Sequence, residues 1–344
     1  MKRHNNLYQQ MTSPENIRAA WLDARRGKSS KSAVRRFERD LDANLERIRQ
    51  SLINKTYKTS PYKTMIIKEP KERLIYRLPY DPDRIIHHVL MRVVEPIWQG
   101  MFISDSYACI KGRGIHEGSK RAMEYVRRNR YCLKMDISKF YPSVDHDILY
   151  KIIQRKIKCV DTLQLFREII YSVPNGKNVP IGNYTSQWMG NLYLNELDYF
   201  VKHTLRVKDY VRYCDDFCLF SDDKKHLGRL ASEIETFLAT KLALKLSKNS
   251  IFPVTQGVDF LGYRHFPTHV LLRKSTTTRI RRRLRSLPKA LATGLVTFEY
   301  FRSCIASIKG WMRWANTHHL RLATEMDALE RIITNGGIAA AKTI

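Results

Sequence analysis

The sequence contains no Cys-x-x-Cys pair, no apolar run approaching eighteen residues, no apolar signal-like segment near its start, and few acids for its size. Each shortage removes a class of function. The six cysteines (Cys109, Cys132, Cys159, Cys214, Cys218, Cys304) lack zinc-site spacing and sit among apolar residues, which suits a reducing compartment. Neither secretion nor membrane insertion is expected, so the expected location is the cytoplasm. No internal repeat and no low-complexity tract is visible. Against 33 acidic residues stand 61 lysines and arginines, a formal net charge of +28 in 344 residues. That much self-repulsion is tolerated where a polyanion neutralises it, so nucleic acid is the leading partner. The 43% hydrophobic content excludes a disordered basic tail and supplies enough apolar surface for two or three cores.

Thr12-Ser13-Pro14-Glu15 reads as a helix start, with a hydroxyl cap and proline in the first turn, and Gly27 as its end. Val34, Phe37, Leu41, Leu45, Ile48 and Leu52 recur at three- and four-residue steps, which predicts one long amphipathic helix. Its outward arginines, Arg35, Arg36, Arg39, Arg47 and Arg49, fit a solvated face as well as they fit RNA. Two strand-like runs, around Met65-Ile66-Ile67 and Leu74-Ile75-Tyr76, flank a polar turn. Tyr131–Ile137 alternates as a strand, and Asp145 is placed to cap a helix through about Lys158. Lys208–Ser221 reads as a hairpin with Asp215-Asp216 at its tip. Beyond His269, Arg273, Lys274, Arg279, Arg281, Arg282, Arg283, Arg285 and Lys289 are accompanied by no acid, which marks a boundary. The stretch lacks interleaved aromatics, which favours tracking a duplex backbone over stacking on single-stranded bases.

Three aspartates carry the chemistry. Asp136 ends an apolar strand, and Asp215-Asp216 interrupts Val211-Arg212-Tyr213-Cys214 and Phe217-Cys218-Leu219-Phe220. Carboxylates among β-forming apolar residues are costly to bury unless paired, and a divalent cation offsets that cost. Two Mg²⁺ ions roughly 4 Å apart activate an attacking hydroxyl and stabilise leaving pyrophosphate. Asp is also a common turn residue, so the pair taken alone fits a plain hairpin equally well.

Taken together, the motifs resemble the reverse transcriptase palm. Tyr213-Cys214-Asp215-Asp216 is similar to its YxDD motif, and Asp136-Ile137-Ser138-Lys139-Phe140-Tyr141 to its upstream metal-binding strand. Phe260-Leu261-Gly262-Tyr263 resembles the primer grip, and Gly310-Trp311-Met312-Arg313-Trp314-Ala315-Asn316 resembles bacterial thumb sequences. Pro180-Ile181-Gly182-Asn183-Tyr184-Thr185-Ser186-Gln187 stands where the family carries P-Q-G-x-x-x-S-P. Ile181 replaces the glutamine and Gln187 the proline. The resulting I-G-x-x-x-S-Q is similar to the reverse transcriptases of bacterial and phage diversity-generating retroelements.

The resemblance implies an α+β right-hand polymerase: an N-terminal helical extension over 1–56, fingers over 57–130, a palm with an antiparallel sheet over 131–268 (finger segment about 150–180), and a helical thumb over 269–344. It implies catalysis by Asp136, Asp215 and Asp216, which with the Ile137 carbonyl hold two Mg²⁺ ions that Mn²⁺ can replace. Lys68, Lys71, Arg73, Tyr141, Ile181, Gly182, Ser186 and Gln187 would meet the dNTP, Tyr141 as the steric gate against a ribose 2′-OH. Gly262, Arg273, Lys274, Arg279, Arg281, Arg282, Arg283 and Arg285 would hold nucleic acid. The implied partners are template RNA, the RNA–cDNA duplex, dNTPs, an oligomeric helical accessory variability protein and, indirectly, target DNA, with no membrane. The implied activity is RNA-templated DNA synthesis with errors at template adenines. The length leads to the expectation that RNase H and maturase extensions are absent.

Three rivals remain at this point, the weakest of them a Mg²⁺ nuclease, which would shorten the product where a polymerase lengthens it. A retron or short group-II-like reverse transcriptase would lack adenine mutagenesis, and I-G-x-x-x-S-Q argues against it. A non-catalytic RNA-binding protein with a degenerate palm is opposed by the three retained aspartates.

Overall fold

The computed structural model describes residues 3–68 and 72–334, so Lys71 lies outside the described residues. The chain opens with α1 (Leu7–Met11), α2 (Pro14–Arg25), α3 (Ser32–Glu38) and α4 (Leu41–Ile53). Ser13, not Thr12, caps α2: its Oγ accepts from Asn16 N at 3.2 Å, while the Thr12 hydroxyl donates to the Tyr8 carbonyl at 3.1 Å. Glu15 therefore falls one residue short of a capping box. The stripe from Val34 to Leu52 forms two helices where one was expected. Asp40 (φ −124°, ψ 57°) breaks the helix, and Asn44 Nδ2 donates to the Phe37 carbonyl at 3.0 Å, supplying a bond the break leaves unmade. Val34, Phe37, Leu45, Ile48 and Leu52 stay buried throughout.

Next come the hairpin strands β1 (Lys63–Ile67) and β2 (Arg73–Arg77), antiparallel with Ile67 opposite Arg73, and then α5 (Ile85–Gln99). Beyond them lie α6 (Ile115–Arg128), β3 (Tyr131–Ile137), α7 (Phe140–Ser143), α8 (His146–Gln154), α9 (Val160–Ile170) and α10 (Tyr184–Tyr199). Asp145 caps α8 as expected, Oδ1 accepting from Asp147 N and Ile148 N at 3.1 Å each, but the helix stops at Gln154, short of Lys158. The remaining elements are β4 (Tyr210–Tyr213), β5 (Asp216–Ser221), α11 (Lys224–Leu242), β6 (Leu246–Pro253), β7 (Val258–Phe260), β8 (Tyr263–His265) and β9 (Val270–Leu272). Four helices close the described chain: α12 (Lys274–Ala292), α13 (Phe298–Arg313), α14 (His318–Ala323) and α15 (Met326–Thr334). The mixture of helices and antiparallel strands is the α+β class read from the sequence. Among the described residues, no helix is long and apolar enough to cross a membrane.

The chain divides into two compact units, one of Met1–Gly112, Met135–Lys208 and Arg229–Asn249, the other of Arg113–Lys134, Asp209–Gly228 and Ser250–Ile344. Strands follow the orders β1-β2, β4-β5-β3-β6 and β7-β8-β9, and the division runs across β3 and β6. The first unit is built around α5, whose Ile85, Ile86, Val89, Leu90, Met91 and Trp98 are fully buried between α2 and α10. Asp83, just before α5, is also fully buried; its Oδ1 accepts from Tyr57 OH at 2.8 Å and Ser60 N at 3.0 Å, while its Oδ2 has no hydrogen-bond partner among the described residues. In the second unit α6 covers β4, β7 and β8, and α12 packs on α13.

A directed relay joins the parts of the second unit. Trp314 Nε1 donates to Ser119 Oγ at 2.5 Å, Ser119 pairs with His265 Nε2 at 2.6 Å, and His265 Nδ1 lies 3.1 Å from the Val258 carbonyl. Only Nδ1–H can serve the carbonyl, so Nε2 must accept the serine proton. Burial holds His265 at a pKa of about 4, and in the first unit burial lowers His87 to about 3 and His88 to about 4. The unfolded histidines protonate near pH 6.5 while the folded rings stay neutral, so stability is greatest above about 6.5 and falls toward pH 4. Urea unfolding at about pH 7 and about pH 5 should differ by roughly 2 kcal/mol for each such histidine, in the transition of the unit that holds it. Equal stabilities at the two pH values would show these rings protonating freely in the folded chain.

Candidate active site

In the first unit the site starts at the end of β3. Alternation leaves Ile137 buried and Asp136 half-exposed, and Ser247 Oγ donates to Asp136 Oδ1 at 2.5 Å, fixing the carboxylate from β6. Lys139 then adopts a left-handed conformation (φ 43°) that turns the chain into α7. Phe140 goes into the core, and Tyr141 stays half-exposed with its ring 5.1 Å away. Gly190 of α10 lies beneath both rings: a Cβ there would stand 3.1 Å from each.

The segment Pro180–Gln187 holds the β1–β2 hairpin by its base. Tyr76 N donates to the Ile181 carbonyl at 2.8 Å, and Gly182 (φ +127°) passes so close that a Cβ would lie 2.1 Å from the Tyr76 carbonyl oxygen. Asn183 Nδ2 donates to Tyr62 OH at 2.9 Å, and Tyr62 OH meets Ser172 Oγ at 3.0 Å. Tyr184 stacks on His88 at 4.1 Å, and Thr185 Oγ1 meets His87 Nδ1 at 3.3 Å. Ser186 is buried, its hydroxyl spent on the Pro180 carbonyl at 2.7 Å, so it braces the loop, whereas Gln187 is exposed. On the hairpin Lys68 and Arg73 are exposed, together with Met65, Ile66, Ile67 and Leu74.

In the second unit the aspartate hairpin differs from expectation by one residue. Its tip is Cys214-Asp215, and Asp216 is already the first residue of β5, paired with Tyr213. Cys214 takes the left-handed conformation (φ 53°) that so tight a connection demands, and Arg212 Nη1 donates to its carbonyl at 3.1 Å. Asp216 Oδ2 accepts from Lys134 Nζ at 3.0 Å. Phe260 and Tyr263 flank a turn in which Leu261 (φ 57°) and Gly262 (φ 83°) are both left-handed. A Cβ on Gly262 would stand 2.7 Å from the Trp311 ring, and the Gly262 carbonyl accepts from Arg273 N at 3.0 Å.

The basic segment is α12. Lys274, Arg279, Arg281 and Arg285 are exposed and, among the described residues, form no ion pair; Arg282 is exposed too. Arg273 pairs with Asp259 at 2.6 Å, so it is partly engaged within the fold. Arg283 donates to Tyr300 OH and sits 5.4 Å over that ring; hydrogen bonds to Cys304 and Tyr300 raise its already high pKa. A groove of about 660 Å³ between α12 and α13 is lined by Arg279, Arg282, Arg283 and Trp311 and by no acid. Sequence reasoning found the cations and quoted Trp311 within a thumb-like motif, but it placed neither Trp311 nor Tyr300 beside them, because the aromatics come from the neighbouring helix. It also missed Lys134, whose signal was visible: a lysine inside an apolar strand, two residues before Asp136.

Among the described residues, no three His, Cys, Asp or Glu side chains gather closely enough to hold a metal by themselves. Asp136 in the first unit, and Asp215 and Asp216 in the second, are hard oxygen donors of the kind that bind divalent ions whose shells are completed by water and substrate phosphate.

Residues 58–265, more than half of the chain, match the family of reverse transcriptases (RNA-dependent DNA polymerases). The chain belongs to that family. This reverse transcriptase is similar to Protein YkfC of Escherichia coli (strain K12), 24% identical over 272 residues, 65% of this chain and 71% of YkfC. It is 23% identical to Group II intron-encoded protein LtrA of Lactococcus lactis subsp. cremoris over 296 residues, 64% of this chain and 49% of LtrA. An uncharacterized 91 kDa protein in the cob intron of Schizosaccharomyces pombe is 25% identical over 177 residues, 48% of this chain and 22% of that protein. The chain thus spans about half the length of LtrA. Membership makes the fold that of a right-hand polymerase and the chemistry RNA-directed DNA synthesis, which this family performs with divalent metal ions.

The close approach at Gly182 gives a direct test. Gly182→Ala requires a strained φ and must push the Tyr76 carbonyl away, so the reverse transcriptase should lose roughly 2 kcal/mol or more in chemical denaturation. Limited proteolysis should then cut first within 63–77. Unchanged stability together with an uncut hairpin would show that the contact at Tyr76 is dispensable.

Proposed function

We propose that this reverse transcriptase copies a template-repeat RNA into error-prone cDNA, with mistakes concentrated at template adenines, in the manner of diversity-generating retroelements. The observation that carries the reading is Ile181 in I-G-x-x-x-S-Q. An amide at this position could hydrogen-bond near a nascent pair, whereas isoleucine offers only apolar contact. Losing a polar check worth about 1–3 kcal/mol lowers discrimination tenfold or more. The Ile181 backbone is bound to Tyr76, which ties its place to the hairpin bearing Lys68 and Arg73.

In this reading the segments act as an N-terminal extension (1–56), fingers (57–130), palm (131–268) and thumb (269–344). Asp136, Asp215 and Asp216, with the Ile137 carbonyl, would hold two divalent ions, Mg²⁺ by preference, which activate the primer 3′-hydroxyl and stabilise pyrophosphate. Ser247 keeps the Asp136 carboxylate oriented. Tyr141, pressed on Gly190, fills the space of a ribose 2′-hydroxyl, and Lys68, Lys71 and Arg73 neutralise the triphosphate. Gly262 and the α12 arginines track the template–primer backbone. An oligomeric helical accessory variability protein completes the active assembly. A second reading, a group-II-like reverse transcriptase without adenine mutagenesis, is favoured by the likeness to LtrA, whose name records a group II intron.

Primer extension on RNA, with and without the accessory protein and native RNA, separates these readings. D215N and D216N should each abolish extension. Sequenced product should carry errors at template adenines, and Ile181→Gln should reduce them about tenfold. Faithful wild-type product would sink the diversification reading and leave the polymerase standing. Loss of extension in the complete wild-type mixture would leave a non-catalytic RNA binder.

A further inference from the structure

Lys134 stands where an apolar strand has no ordinary use for a cation. Its neighbours Leu133 and Met135 are fully buried, and its own side chain is 7% exposed. Nζ donates to Asp216 Oδ2 at 3.0 Å and to the Asp259 carbonyl, and it lies 5.6 Å from the centre of the Phe260 ring. Asp259 Oδ1 in turn accepts from Arg273 Nε at 2.6 Å, and Arg273 N donates to the Gly262 carbonyl at 3.0 Å. A buried ammonium is expensive unless paired and hydrogen-bonded, so each of these partners is needed to keep it there.

We propose that Lys134 is a positioning residue of the polymerase site, a resident counter-ion that holds Asp216 and ties the aspartate turn to the Phe260–Tyr263 turn and the start of α12. The inference rests on the reading of Asp136, Asp215 and Asp216 as metal ligands. A fixed positive charge at Asp216 relieves the repulsion between adjacent carboxylates. It also competes with a divalent ion for Asp216, which leaves Asp215 the stronger ligand of the pair. The Asp259 carbonyl and its carboxylate take different cations, Lys134 and Arg273, so a shift of the Gly262 turn reaches Asp216 through one ammonium.

The test measures Mn²⁺ binding to the purified full chain, from the EPR signal of the free ion, and primer extension on the same preparations. Lys134→Met should bind Mn²⁺ roughly threefold or more tightly, because one repelling charge is gone. Its turnover should fall about tenfold, since Asp216 loses its anchor. Lys134→Arg, which keeps the charge, should retain wild-type Mn²⁺ affinity. In a D216N background Lys134→Met should no longer tighten Mn²⁺ binding, because Asp216 is the ligand for which Lys134 competes. Unchanged Mn²⁺ affinity in Lys134→Met, or the same tightening in a D216N background, would overturn the proposal.

Should Lys134→Met fail to fold, D216N and D215N decide the matter. D216N strands the buried ammonium, so its Tm should lie about 3 °C or more below that of D215N. Equal Tm values would overturn the proposal. Full extension by D215N would remove the metal-ligand reading instead, and it would do so whatever the Tm difference.

Discussion

Placing charge inside an apolar sheet is the constraint that shapes the second unit. Lys134 and Asp216 would each be costly there alone. Paired, they also recruit the Asp259 carbonyl, and the Asp259 carboxylate then fixes Arg273 at the head of α12. The position of a long basic helix thus descends from the need to solvate one ammonium. Gly262 enters the same chain because its carbonyl receives Arg273 N and its bare α-carbon admits Trp311.

The first unit solves a different problem. A two-stranded hairpin is marginal by itself in water, and β1–β2 exposes Met65, Ile66, Ile67 and Leu74. Its support comes at the base, where Tyr62 and Tyr76 meet Asn183 and Ile181. The segment that sets the subgroup resemblance is therefore also a mechanical joint. Isoleucine at 181 can change the chemistry of its neighbourhood without disturbing that joint, because the joint uses its carbonyl.

The sequence made much of this legible, and the misses have physical reasons. The reverse transcriptase family, the α+β class, the aspartate-bearing strand and hairpin, and the basic helix were all readable, because each rests on local periodicity or a short motif. The division of one amphipathic stripe into α3 and α4 was not, since burial keeps the same phase on both sides of Asp40 and only the backbone registers the break. The hairpin tip moved by one residue because two adjacent aspartates look alike in sequence, while pairing with Tyr213 distinguishes them. Ser186 lay inside a motif yet spends its hydroxyl on Pro180, a partner six positions away around a turn. Trp311 and Gly262 meet across a long stretch of chain, so no window of sequence could join them.

The relay from Trp314 through Ser119 and His265 to Val258 runs in one direction only. Each member gives a hydrogen in the same sense, so no member can be exchanged alone without leaving two groups unmatched. Replacing Ser119 by alanine would orphan the indole and the imidazole together, and replacing His265 by a donor would set two hydrogens against each other. These positions can therefore drift only in concert. In a lineage of such chains they should vary as a block, inherited or lost together.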